Sequence, residues 1–252
     1  MKEEKEYNMK EEKECNMKEE KECNMKEEIR EKVLEFGADI CRFTGIDRLA
    51  GAPDGFHPRD IFPACESIVT FAVALPKGLY MVDSRLIYSH FNTLACSRVD
   101  RIAYRTAAFL EKMNYGIGVP IPCDGPYDYW EEEKMEGRGL LSMKHIAFYA
   151  GIGTFGKNTL LLNRDYGNRL LIGCVLTDLK IESDELSAEV CLEHCELCIQ
   201  NCPAGAISES GVIQKSCRVN SYGHTKRGFD TVECNRCRTV CPMRFGANTC
   251  DK

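Results

Sequence analysis

Eight of this chain's 16 cysteines fall between positions 191 and 241 at short, repeated spacings, and no other feature of the sequence limits the possible folds as much. The first run reads CLEHCELCIQNCP and carries Cys191, Cys195, Cys198 and Cys202, followed by Pro203. Cys217 stands alone. The second run, CNRCRTVCP, carries Cys234, Cys237 and Cys241, followed by Pro242. Two-residue spacers let one loop present several thiolates to a compact metal core, and the proline turns the chain away afterwards. A loop-rich segment of roughly sixty residues cannot bury enough apolar surface to fold alone. Metal–thiolate bonds are expected to replace the missing core.

Eight thiolates are what two 4Fe–4S clusters require. In two-cluster proteins the fourth cysteine of each run ligates the other cluster. That rule puts Cys191, Cys195, Cys198 and Cys241 on one cluster and Cys202, Cys217, Cys234 and Cys237 on the second. Two spacings depart from the common pattern. Three residues separate Cys191 from Cys195, and Cys217 lies far ahead of Cys234, a gap a loop closes at modest entropic cost. A single zinc held by Cys195, Cys198, Cys234 and Cys237 is the rival reading, but it leaves two C-x-x-C-x-x-x-C-P runs unexplained.

The opening MKEEKEYN has none of the marks of an export signal, so a cytoplasmic location is expected. In that reducing setting cysteines serve metal or redox chemistry more often than disulfides. No apolar run reaches the ~18 residues of a membrane-spanning helix, and no membrane partner is expected. Residues 1–28 form an eight-residue repeat holding 7 Lys and 11 Glu, and so supply −4 of the chain's net charge of −6. That repeat reads as a low-complexity charged tail. The charge balance gives no support to a nucleic-acid partner.

The body is read as an α/β domain over residues 29–185, with a mixed or antiparallel sheet, followed by a two-cluster domain over 186–252. Apolar runs at 67–76 and 170–177 predict buried strands. Helical spacing of Val99, Ile102, Ala103, Ala107 and Leu110 predicts a helix over 97–113, opened by a capping box at Ser97 and Asp100. Residues 116–139 read as loop, with Tyr127, Tyr129 and Trp130 as possible pocket walls.

GIGTFGKN, with Gly151, Gly153, Gly156, Lys157 and Asn158, matches two phosphate-binding patterns in part. As G-x-G-x-x-G it lacks room for a crossover helix before Asp178, and as G-x-x-x-x-G-K it has Asn158 where a hydroxyl is needed. A tight turn whose backbone approaches something closely is the default.

KHIAFYAGIGTFGKNTLLLNRDYGNRLLIGCVLTDL at 144–179, then CLEHCELCIQNCPAGAI, Cys217 and CNRCRTVCP, resembles the epoxyqueuosine reductase family, which is related to the reductive dehalogenases. The resemblance covers roughly residues 85–245. It implies a nitroreductase-like α/β domain, a ferredoxin-like domain with two 4Fe–4S clusters, and a cobalamin whose cobalt reduces an organic substrate. It places Gly151, Gly153, Gly156, Lys157 and Asn158 near the corrinoid. Asp124, in CDGP, matches the family's proton donor. SHFNTLACSRVD occupies the region of a Gly-Arg-Asp-Tyr-His stretch found in the family, and the sequence stops at Lys252, short of a helical-repeat extension. The expected activity is therefore an oxidoreductase fed by an external donor of ferredoxin or flavodoxin type, acting on a small molecule or modified nucleoside. A non-catalytic electron carrier, or a reductive activator of a corrinoid protein, is the alternative. A deep pocket beside the glycine loop would separate the first reading from the carrier.

Overall fold

A computed structural model describes residues 22–123, 129–221, 223–224, 230–231 and 234–247. The chain opens with helix α1 over 22–35, then strand β1 (Ile40–Gly45), short helix α2 (Pro58–Ile61) and strand β2 (Ser67–Ala74). Helix α3 (Arg85–Lys112) leads to β3 (Gly118–Ile121), the hairpin β4 (Tyr129–Glu131) and β5 (Glu136–Arg138), and helix α4 (Met143–Tyr149). The short pair β6 (Thr154–Phe155) and β7 (Leu161–Leu162) precedes the long strand β8 (Leu170–Thr177).

Four strands make the main sheet in the order β1-β2-β8-β3, every pair antiparallel. Of the two expected sheet types, the antiparallel one forms. β2 and β8 are central, mostly apolar and buried along nearly their whole length, so each strand has two buried faces. Period-two alternation decides which residue goes where. Val69, Phe71, Val73 and Val175 face α1 and α3, together with Val99, Ile102 and Leu110. Ile68, Cys174 and Leu176 face the opposite layer with Ile146 of α4. β3 is an edge strand, which is why Pro120 is tolerated in it.

α3 begins at Arg85, well before the expected Ser97. Ser97 lies mid-helix and its hydroxyl donates back to the Thr93 carbonyl at 3.5 Å rather than capping an end. α1 is also longer than the repeat pattern suggested. Met25 packs on the core, and the Lys26 Nζ reaches Asp184 Oδ1 at 2.9 Å, so the last turn of the charged repeat belongs to the body. Three short strands form within 116–139, where loop was expected.

Candidate metal and cofactor site

The cysteine-rich segment is built from single turns. α5 (Leu197–Gln200) and α7 (Arg236–Thr239) are each four residues long, carry Cys198 and Cys237, and pack against each other. Between them lie the hairpin β9 (Ile207–Ser208) and β10 (Gly211–Val212) and helix α6 (Gln214–Ser221), which carries Cys217. The Ala206 amide donates to the Cys202 sulfur at 3.3 Å.

The eight cysteines divide between two cavities. Cys191, Cys195, Cys198 and Cys241 line a small one of about 20 Å³, with Gly156, Lys157 and Asn158 on its other side. Cys202, Cys217, Cys234 and Cys237 line a large one of about 1200 Å³. Its remaining walls come from α3 (Tyr88, Asn92, Cys96), α4 (Lys144, His145) and the β4–β5 hairpin (Gly137, Arg138). The two cysteines at unusual spacing divide as well, Cys191 lining the small cavity and Cys217 the large one. The thiols sense one another mostly within these sets, with Cys198 also reaching Cys237 across them. Burial pushes Cys241 up to about 11, and Cys191, Cys198 and Cys195 add to the rise. Burial likewise takes Cys237 to about 11, with Cys234, Cys217 and Cys198 adding and Arg238 opposing.

Among the described residues, no three His, Cys, Asp or Glu side chains converge on a point that a single ion could occupy. The zinc reading also fails on placement. Cys195 and Cys198 face the small cavity, whereas Cys234 and Cys237 face the large one. Four soft thiol donors around each space suit a polynuclear sulfur-bridged core better than one tetrahedral ion.

The glycine loop forms the partition between the two cavities. Asn158 is 5% exposed, lines both cavities, and donates from Nδ2 to the Cys237 carbonyl at 3.2 Å. Lys157 Nζ donates to the Glu193 carbonyl at 2.6 Å, tying the loop to the first cysteine run. Gly151 and Gly153 line neither cavity. A Cβ on Gly151 would sit 1.9 Å from the Glu185 carbonyl oxygen, and one on Gly153 would sit 2.2 Å from that of Leu162. Their missing side chains make room for the chain's own backbone, not for a macrocycle. Asp178, the acidic residue of the dinucleotide pattern, instead accepts the Ile117 amide at 2.8 Å.

The DYGN turn before β8 holds the second cysteine run in place. Asn168 Nδ2 donates to the Arg238 carbonyl at 3.1 Å, and Arg238 Nη1 donates to that of Asn168 at 2.6 Å. Gly167, at φ +63, lets the chain pass against the backbone of Met243 and Arg244. The Ala247 amide donates to the Arg164 carbonyl at 2.7 Å.

Asp124 and Tyr127 lie outside the described residues. Tyr129 and Trp130 are described, but neither faces the large cavity; the Arg218 guanidinium lies 5.2 Å from the Trp130 ring.

No family model matches the chain. Among curated proteins, an epoxyqueuosine reductase of Staphylococcus aureus is 24% identical over 230 residues, covering 79% of this chain and 56% of that protein. One of Listeria monocytogenes is 30% identical over 124 residues, covering 45% of this chain and 32% of that protein. A crystal structure of epoxyqueuosine reductase with an epoxyqueuosine-modified tRNA stem loop superposes with a TM-score of 0.63 at 22% identity, covering 88% of this chain and 66% of the other. The chain is thus similar to epoxyqueuosine reductases. A catabolic reductive dehalogenase shares the fold with a TM-score of 0.65 at 18% identity, over 86% of this chain and 31% of the other. The chain spans about a third to just over half the length of these curated relatives.

Two side chains of the large cavity had no role assigned from sequence. Lys144 and His145 stand in the first turn of α4, at the head of the KHIAFYAGIG block. Lys144 presents surface to the cavity while protein surrounds its ammonium elsewhere; that burial, with Arg238 nearby, lowers its pKa, and Cys237 opposes. Its Nζ donates to the Thr159 carbonyl at 2.7 Å. Burial first and Lys144 second lower His145, whose Nδ1 lies 2.6 Å from Ser142 Oγ. Thr159 has φ +57, a left-handed backbone that a β-branched residue adopts at a cost of about 1–3 kcal/mol.

Proposed function

We propose that the chain is an iron–sulfur oxidoreductase that passes electrons through two 4Fe–4S clusters to a corrinoid in the large cavity and reduces an organic substrate there. Cys191, Cys195, Cys198 and Cys241 would hold the outer cluster, and Cys202, Cys217, Cys234 and Cys237 the inner one. The observation that carries this reading is the sharing of one cavity by four cysteines and by the walls of a large pocket. Its volume of about 1200 Å³ exceeds the ~300–1000 Å³ of ordinary small-molecule sites, as a macrocycle plus substrate would require. An electron carrier has no use for such a chamber. A corrinoid, when bound, supplies strongly reducing cobalt; the clusters supply one-electron steps.

The chain's own residues have separable tasks. Asn158 spans the partition between the cysteine sets, and Lys157 fixes the loop that carries it. Asp124 is the proposed proton donor. Cys123 before it lines the cavity, and its amide is held by Asp100 Oδ1 at 2.7 Å. A carboxyl kept from water would retain a proton near neutral pH. An external donor of ferredoxin or flavodoxin type would deliver the electrons. The tRNA-bound relative favours a modified nucleoside as the substrate class.

Anaerobic purification with iron, sulfide and cobalt analysis tests the proposal. About eight iron and eight sulfide per chain are expected, with tight uptake of cobalamin. Full iron loading with no corrinoid uptake would sink the reductase reading. Asp124→Asn should lower turnover by about a hundredfold or more at unchanged iron content.

A further inference from the structure

Among the described residues, the wall of the large cavity carries four Lys or Arg side chains (Arg138, Lys144, Arg218 and Arg238) and no Asp or Glu. This imbalance runs against a chain whose net charge is −6. The four cations are not equally committed. Arg138 pairs with Glu136 at 2.9 Å, Arg218 bonds Gln214 at 2.9 Å, and Arg238 bonds the Asn168 carbonyl at 2.6 Å. Lys144 has a single acceptor, the Thr159 carbonyl, and no carboxylate within ion-pair distance among the described residues. An ammonium has three donors, so two remain for a ligand.

The backbone aims that one acceptor. Thr159 takes a left-handed conformation at φ +57, closed by its amide on the Gly156 carbonyl at 2.8 Å. The Thr159 carbonyl thereby holds the Lys144 ammonium at the cavity wall. An ammonium with two unfilled donors and no carboxylate partner can give a charge-assisted hydrogen bond to an anion brought by the ligand. Phe56, Tyr88, Tyr149 and Phe155 supply flat apolar walls around the same space.

We propose that Lys144 is a substrate-binding residue that anchors a carboxylate or phosphate, so that the substrate of this cavity is an organic anion with a flat apolar body. The inference rests on the reductase reading for the word substrate but not for the anion site itself. A second source of anion exists in principle, the phosphodiester of a cobalamin's nucleotide tail, and the test separates the two.

Binding of benzoate, phenyl phosphate and neutral benzamide to the full chain is measured anaerobically by calorimetry and saturation-transfer NMR, with and without corrinoid. At least one anion should bind more tightly than benzamide. Lys144→Gln should weaken that anion by about tenfold, the size of one charge-assisted hydrogen bond, and leave benzamide unchanged. Lys144→Arg should restore most of the loss, and matching iron content and melting temperature guard against misfolding. Equal binding of anions and benzamide, or no effect of Lys144→Gln, overturns the proposal. So does a variant that weakens cobalamin but not cobinamide, which lacks the phosphate, while leaving the aromatic anions unaffected. If no corrinoid binds yet the anion preference depends on Lys144, the reductase reading fails and the anion site stands.

Discussion

Asp184 illustrates how one side chain joins separate parts of the body. Its carboxylate accepts from Lys26, from Arg30 at 3.1 Å and from the Phe43 amide at 2.8 Å, and so ties α1 to the sheet. Burial works against the charge, but these hydrogen bonds outweigh it and hold Asp184 below the usual carboxylate range. A carboxylate with a depressed folded-state pKa stabilises the fold above its unfolded value of about 3.9, and that contribution is lost as pH falls through the folded value. Asp184→Asn should therefore cost about 3 kcal/mol at pH 7, because it strands two partly buried cations. In urea titrations the gap between wild type and variant should narrow below pH 4. A gap independent of pH would refute the ion-pair account. A glycine pair tests close packing in the same way. Gly151→Ala meets the Glu185 carbonyl at 1.9 Å and should cost about 2–4 kcal/mol, whereas Gly205→Ala, at φ +54 with open space around it, should cost only about 1–2 kcal/mol. Similar losses at both sites would leave backbone strain, not contact, as the cause.

At the scale of elements, β8 and β2 were legible because a fully buried strand announces itself as an unbroken apolar run. The ends of α3 were not. Its first turns carry Leu86, Ile87 and Phe91 exposed beside buried Tyr88 and Asn92, which blurs the helical period. The division of the cysteines between two cavities follows their spacing, which limits which thiols one loop can present. Lys144 and His145 were not legible, because only the three-dimensional closure of α4 over the C-terminal segment makes them cavity residues. The β4–β5 hairpin was likewise invisible. It is held from outside, by Gln214 to the Gly137 amide at 3.2 Å and by Lys215 to the Glu133 carbonyl at 2.9 Å. Trp130, the only tryptophan, lies beside Arg218 on the helix that carries Cys217. Its fluorescence should report on that helix. Chelating the iron of the proposed clusters should brighten the emission and move it to the red; an unmoved spectrum would mean that α6 and the hairpin stay docked without a cluster.

Across the whole molecule, apolar burial is unevenly shared. The two cores that sandwich the sheet draw all their buried residues from Ile29 to Ile181. After residue 185, the described buried hydrophobics are Ala206, Ile207 and Phe245. Phe245 is the main apolar tie to the body, packing with Leu75, Leu79, Tyr80 and Tyr88. If the proposed clusters are bound, two different forces hold the two parts: side-chain packing for the body, and metal–thiolate bonds with backbone docking for the cysteine segment. Iron removal should unfold the segment and spare the body. Limited proteolysis of chelated protein is expected to cut after residue 185 and leave a protected fragment ending near there, with the sheet's circular dichroism largely retained. Phe245→Ala should cost about 3 kcal/mol of docking and bring that cleavage on at lower chelator concentration. If chelation instead melts body and segment in one transition, the clusters support the whole fold, and the contacts of Asn158 and Asn168 to the second cysteine run carry more of its stability than the body's own core does.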